Sequence, residues 1–113
     1  MKHLKLVVSN TDKKLNKFFD KNELQTILNL YAYMVSSGEW KDYGLNISKS
    51  EVSFNIYRRS SEFPAYRIMK NLSTKNKDNK YVVKDSHGNT INNSENLENL
   101  IQSIRWKKFK LVN

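Results

Sequence analysis

At Gly38 the spacing of apolar residues changes from one per helical turn to every second residue. Before it, Leu24, Ile27, Leu28, Tyr31 and Val35 recur at i, i+3, i+4, i+7 and i+11, a single stripe along a helix. Asp20 is placed to cap that helix, and Glu23, three residues on, completes a capping box. Gly38 is the expected stop, because helices commonly end on a residue with left-handed backbone. Leu30 and Met34 widen the stripe on one flank, and Tyr33 lies on the opposite side, where it is expected to be exposed.

After Gly38 the pattern is that of strands. Tyr43, Leu45 and Ile47 alternate with Gly44, Asn46 and Ser48; Val52, Phe54 and Ile56 alternate with Ser53, Asn55 and Tyr57. The link between these runs is short, which predicts a hairpin. "AYRIMK" predicts a third strand, with Tyr66 and Ile68 toward the core, Arg67 outward and Pro64 at or just before its start. "YVVK" predicts a fourth, "DSHGNT" a turn, and Ile91 a short return. A last helix is expected to start near Asn92 to Ser94, carrying Leu97, Leu100, Ile101 and Ile104, and "RWKKFKLVN" suggests a terminal strand with Phe109 and Leu111.

This order predicts an α+β fold: a helix, an antiparallel meander of three to five strands and a second helix, with both helices on one sheet face. At 113 residues the chain fits one core. Residues 1–18 are expected to form a basic N-terminal arm and residues 19–113 a single domain.

Composition narrows the chemistry. Without cysteine there is no disulfide, thiolate metal site or thiol nucleophile. No apolar run is long enough to span a membrane, and "MKHLKLVVSN" is too short in apolar residues for a signal peptide, so a cytoplasmic location is expected. His3 and His87 have no carboxylate or second histidine at ligand spacing, so no metal or other cofactor is expected. Glu39 and Asp42 lie close in sequence, Ser60 and Ser61 follow two arginines, and the three glycines are isolated. None of these makes a catalytic pair, a nucleophile elbow or a phosphate loop, so the chain is not expected to be an enzyme.

The net charge of +9 points to an acidic partner. Sixteen of the twenty basic residues are lysine, however, and with abundant asparagine this fits codon drift in an AT-rich genome. The four arginines are then the more informative cations, since a guanidinium fork matches phosphate or carboxylate as lysine cannot. Tyr57, Arg58, Arg59 and Arg67 form one candidate anion or nucleic-acid site, with Tyr57 and Arg59 on the strand face opposite Phe54 and Ile56. The structural alternative is that Arg58 and Arg59 pair with Glu62 and Glu51 or stack on Trp40. Arg105, Lys107, Lys108 and Lys110, interleaved with Trp106 and Phe109, form a second candidate, against which stands ordinary pairing of cations with a helix C-terminus. Tyr33, Trp40 and Trp106 form a candidate protein-interaction surface, with a homodimer as one form it could take.

Several stretches resemble a known family. "FDKNELQTILNLYAYMVSSGEWKDYGLNI", "SFNIYRRSSEFPAYRIMK" and the closing "KLVN" are similar to the alphaproteobacterial family catalogued as domain of unknown function 2794. The resemblance covers roughly residues 19–112, and its most specific pieces are "GEWKDY" (38–43) and "YRRSSEFPAYRI" (57–68). It implies a lineage and a fold and no activity. The residues lead to a small basic binding domain contacting nucleic acid or a ribonucleoprotein. The alternative is a protein-interaction or regulatory adaptor, with a homodimer as one option, whose positive charge is compositional. Helix, meander and helix is also, by analogy only, the order in double-stranded RNA-binding domains. The basic, glycine-rich start of their second helix is missing here, where "NNSENLENL" carries acids.

Overall fold

The computed structural model describes residues 18–59, 63–73 and 79–106. Helix α1 (Lys21–Ser36) is followed by β1 (Asp42–Ile47), β2 (Glu51–Tyr57), β3 (Tyr66–Asn71), β4 (Tyr81–Asp85), β5 (Thr90–Ser94) and helix α2 (Leu97–Gln102). The strands pair in chain order, β1-β2-β3-β4-β5, each antiparallel to the next. This is the expected α+β meander at its upper strand count.

Local signals set the ends of α1. The Asp20 carboxylate accepts from the Glu23 N–H at 2.8 Å, and Glu23 Oε1 accepts from the Asp20 N–H at 2.7 Å, closing the capping box. At the other end Gly38 takes φ +82°, a left-handed conformation that costs a glycine little. The turn lets the Glu39 and Trp40 N–H groups both donate to the Met34 carbonyl and carries Trp40 inward beneath the helix end.

One sheet face holds the core. The cross-strand rows Tyr43–Ile56–Tyr66 and Leu45–Phe54–Ile68–Val83 meet Leu24, Ile27, Tyr31 and Met34 of α1 and Leu97, Leu100 and Ile101 of α2. The buried stripe of α1 is rotated toward Met34, with Leu28 and Val35 only partly buried at its margin. Phe19 is fully buried, and Phe18, the last residue assigned by sequence to the arm, also packs against this core. Among the described residues, neither helix packs on the second face, which carries Gly44, Asn55, Arg67 and Lys84 in one row.

Two expectations need correction. The last helix does not start at Asn92 to Ser94: these residues pair with β4, and Asn96 is the N-cap, accepting from the Asn99 N–H at 2.8 Å. Asn92, Asn93, Ser94 and Asn96 are all capable caps, and strand pairing decides among them. The helix also ends early, at Gln102, so helical phase does not place Trp106. The chain turns back and buries its indole, at 7% exposure, with Nε1–H donating to the Ile101 carbonyl at 3.0 Å. The same carbonyl, in the last turn of the helix, also accepts from the Ile104 N–H at 3.3 Å, so the indole shares it with the backbone. The expected terminal strand lies outside the described residues.

Candidate functional site

The β2–β3 connection, the β4–β5 turn and the chain after α2 converge at one end of the sheet. Between them lies a cleft of about 580 Å³, lined by Arg58, Ala65, Tyr66, Asp85, Ser86, His87, Ile91, Ser103, Ile104 and Arg105. Each contribution has a local cause. Arg58 is the first residue past β2. Asp85 ends β4, and its Oδ1 accepts from the His87 and Asn89 N–H groups, both at 2.9 Å, fixing the turn that presents Ser86 and His87. Gly88, at φ +84°, allows that turn to close. Between β4 and β5 the register slips, so that Val83 faces Asn92 while Lys84 faces Thr90. Ile91 is the extra residue of this bulge, and the bulge aims it at the cleft.

The wall behind the cleft is stiff. Tyr66, 4% exposed, meets Trp106 edge-on at 4.8 Å between centroids, and Trp40 meets Trp106 edge-on at 5.5 Å. Such contacts contribute about 1 kcal/mol each beyond the area they bury. Burial pushes the Tyr66 phenol up to about 12; the Arg58 guanidinium draws it down, while Glu39 and Asp85 add to the rise. Arg58, Glu39 and Asp85 therefore all act on the Tyr66 phenol, although of the three only Arg58 and Asp85 line the cleft.

A second, smaller cleft of about 250 Å³ is lined by Arg58, Arg59, Phe63 and Ala65. Arg58 and Ala65 line both, so the two adjoin. Phe63 is 83% exposed, the most exposed of the large apolar side chains among the described residues.

The sequence candidates are thus divided. Arg58, Arg59 and Arg105 come together at the clefts, although Arg105 belongs to a different candidate cluster by sequence. Tyr57 and Arg67 lie instead on the helix-free sheet face. There Arg67 is exposed opposite Asn55, and the half-buried Tyr57 lies across Gly44, whose added Cβ would meet Tyr57 Cε1 at 3.6 Å. Centrally this face is shielded, with Ser53, Asn55 and Met69 buried and Ser53 Oγ–H donating to Asn55 Oδ1. Lys107, Lys108 and Lys110 lie outside the described residues. Tyr33 is exposed on α1, at 54%. Trp40 and Trp106 do not form an outward surface: at 3% and 7% exposure their rings cover each other within the core.

Arg58 and Arg59 also interact within the chain. Glu51 cannot be the partner, since it opens β2 and these arginines follow its end, about 20 Å away along the strand. Glu39 and Asp42 do not line the larger cleft, so the pair considered for acid–base chemistry is not joined to it. Among the described residues no group of three or more His, Asp or Glu side chains is placed to hold a metal ion. No helix among them is long and apolar enough to cross a membrane.

Sequence reasoning missed Phe63, Asp85, Ser86, Ser103 and Ile91 as cleft residues. Only Phe63 gave a signal, as an aromatic residue in a polar link outside either strand's alternation. The others come from separate segments that only the tertiary fold unites. No curated protein and no solved structure matches the chain. Residues 17–101 do match the family described as "Protein of unknown function (DUF2794)", and the chain belongs to that family.

Proposed function

We propose that the chain is a binding domain for nucleic acid, alone or within a ribonucleoprotein. The observation that carries this is the exposed Phe63 ring sharing a cleft with Arg58 and Arg59. An aromatic face stacks on a base, and guanidinium forks beside it take the adjoining phosphates.

The distribution of charge supports the same reading. Among the described residues six lysines and four arginines stand against eight acids, a net of +2. The other +7 of the chain's +9 belongs to residues outside them. The described body is therefore close to neutral, and its arginines act as local recognition groups. The lysine-rich segments add long-range attraction, which is sensitive to salt.

The test is a salt-titrated binding measurement with single-stranded RNA, single-stranded DNA and their duplexes. Affinity should fall linearly with salt on logarithmic axes. Phe63→Ala should weaken binding about tenfold. Absence of binding to all four at low salt would refute the proposal. The second reading, an adaptor, is favoured by Tyr33 on α1, exposed away from the clefts. It expects a protein partner to be retained from nuclease-treated extract and lost on Tyr33→Ser.

A further inference from the structure

We infer that the larger cleft is a pocket for one unstacked nucleotide, so that the preferred partner is single-stranded nucleic acid. This rests on the proposed function and makes it more specific. The cleft's volume, about 580 Å³, lies within the range of sites that take a single small ligand. Tyr66, Ile91, Ile104 and Ala65 give it an apolar interior for the flat face of a base. Ser86, His87, Asp85 and Ser103 supply donors and acceptors for a base edge. Arg58 and Arg105, from distant parts of the sequence, give two guanidinium groups for the phosphates on either side of that base.

Three features favour this occupant over a duplex. A duplex keeps its bases stacked and paired and offers a protein its phosphates and groove edges, none of which fills a pocket with an apolar interior. The pocket is preformed, because Tyr66 is held against Trp106. It also adjoins the cleft of Phe63, with Arg58 on both, so a strand whose base stacks on Phe63 has Arg58 beside it on the way to the next site. The acid in the pocket does not oppose this. Asp85 accepts two turn amides through Oδ1, and a carboxylate has acceptor capacity beyond those two bonds for an exocyclic amino group. Arg58 keeps its contacts within the chain, and a guanidinium has five N–H donors to share.

The experiment compares a labelled ten-nucleotide single strand with the corresponding duplex, by fluorescence anisotropy at low salt on the full chain. Two variants reach the pocket differently: Arg105→Ala removes a phosphate contact, and Ile91→Trp fills the space from a position already 42% exposed. The single strand should bind at least fivefold more tightly than the duplex, and each variant should weaken it about tenfold. Equal or tighter duplex binding overturns the inference while leaving nucleic-acid binding in place. So does single-strand binding indifferent to both variants, provided circular dichroism shows them folded. Failure of both nucleic acids to bind removes the inference together with the function it rests on.

Discussion

The two ends of the sheet handle charge in opposite ways. At the end bearing Lys70 and Tyr81, Glu23 is engaged from within: Oε1 accepts from Lys70 Nζ at 2.8 Å as well as from the Asp20 N–H, and Oε2 accepts from the Tyr81 hydroxyl. These groups are nearly buried, and the network ties the start of α1 to β3 and β4. At the opposite end Arg58, Arg59 and Arg105 are exposed around clefts with aromatic and aliphatic walls. Both ends are polar, yet their consequences differ. A buried charge is tolerated only when partners surround it, so it fixes packing. A cation held at the rim of a stiff wall is placed where a second molecule can reach it.

The largest test of that contrast lies beneath the open end. Trp106→Ala should cost about 4 kcal/mol in denaturant unfolding, because it empties the space against Trp40 and Tyr66 and removes the bond to Ile101. A cost below about 1 kcal/mol would mean that the cleft has no rigid wall. Glu23→Gln comes next, at about 2 kcal/mol, because it takes the anion from Lys70 and weakens the acceptor of Tyr81. A neutral outcome would mean that the closed end is not held by its charge.

The closed end was half legible in the sequence and the open end hardly at all. Asp20 and Glu23 announce the capping box because a cap is local, three residues wide. That the same Glu23 reaches Lys70 and Tyr81, 47 and 58 residues away, carries no spacing signal. Alternation placed Ile56, Tyr66 and Ile68 correctly, since a strand buried on one face has a period of two. It could not foresee Ser53 and Asn55 buried on the other face. Trp106, expected on an interaction surface, is buried instead, because the chain turns back after the helix stops at Gln102 and no local pattern marks that turn. The cleft joins residues 58, 85–91 and 103–105 across three connections, and its Ile91 is aimed by a bulge that no residue pattern marks.

Alkaline titration compares the two ends through their phenols. Burial raises Tyr31 and Tyr66 to about 12 and also raises Tyr43; burial followed by the hydrogen bond to Glu23 raises Tyr81. Each phenol thus holds its proton more tightly folded than unfolded. The stability this gives is complete below the unfolded value near 10 and is lost as pH rises toward the folded values. Urea midpoints should therefore fall from about pH 10 upward. Tyr66→Phe and Tyr81→Phe should each reduce the slope by up to one proton. An unchanged slope in Tyr81→Phe would show that its phenol titrates as it does unfolded, and the closed end would lose its distinguishing bond.

The smallest change in stability is expected at Arg105, and its smallness is what matters. An exposed guanidinium gains little from pairing, so Arg105→Ala should shift unfolding by no more than about 0.5 kcal/mol. Lys70→Ala, by contrast, removes a partner from a nearly buried carboxylate and should cost several times as much. Measured side by side by urea unfolding, the two cations separate a charge that builds the fold from one that the fold displays. A cost at Arg105 as large as that at Lys70 would make the open end a second internal lock, and its arginines would then be held for the chain's own stability.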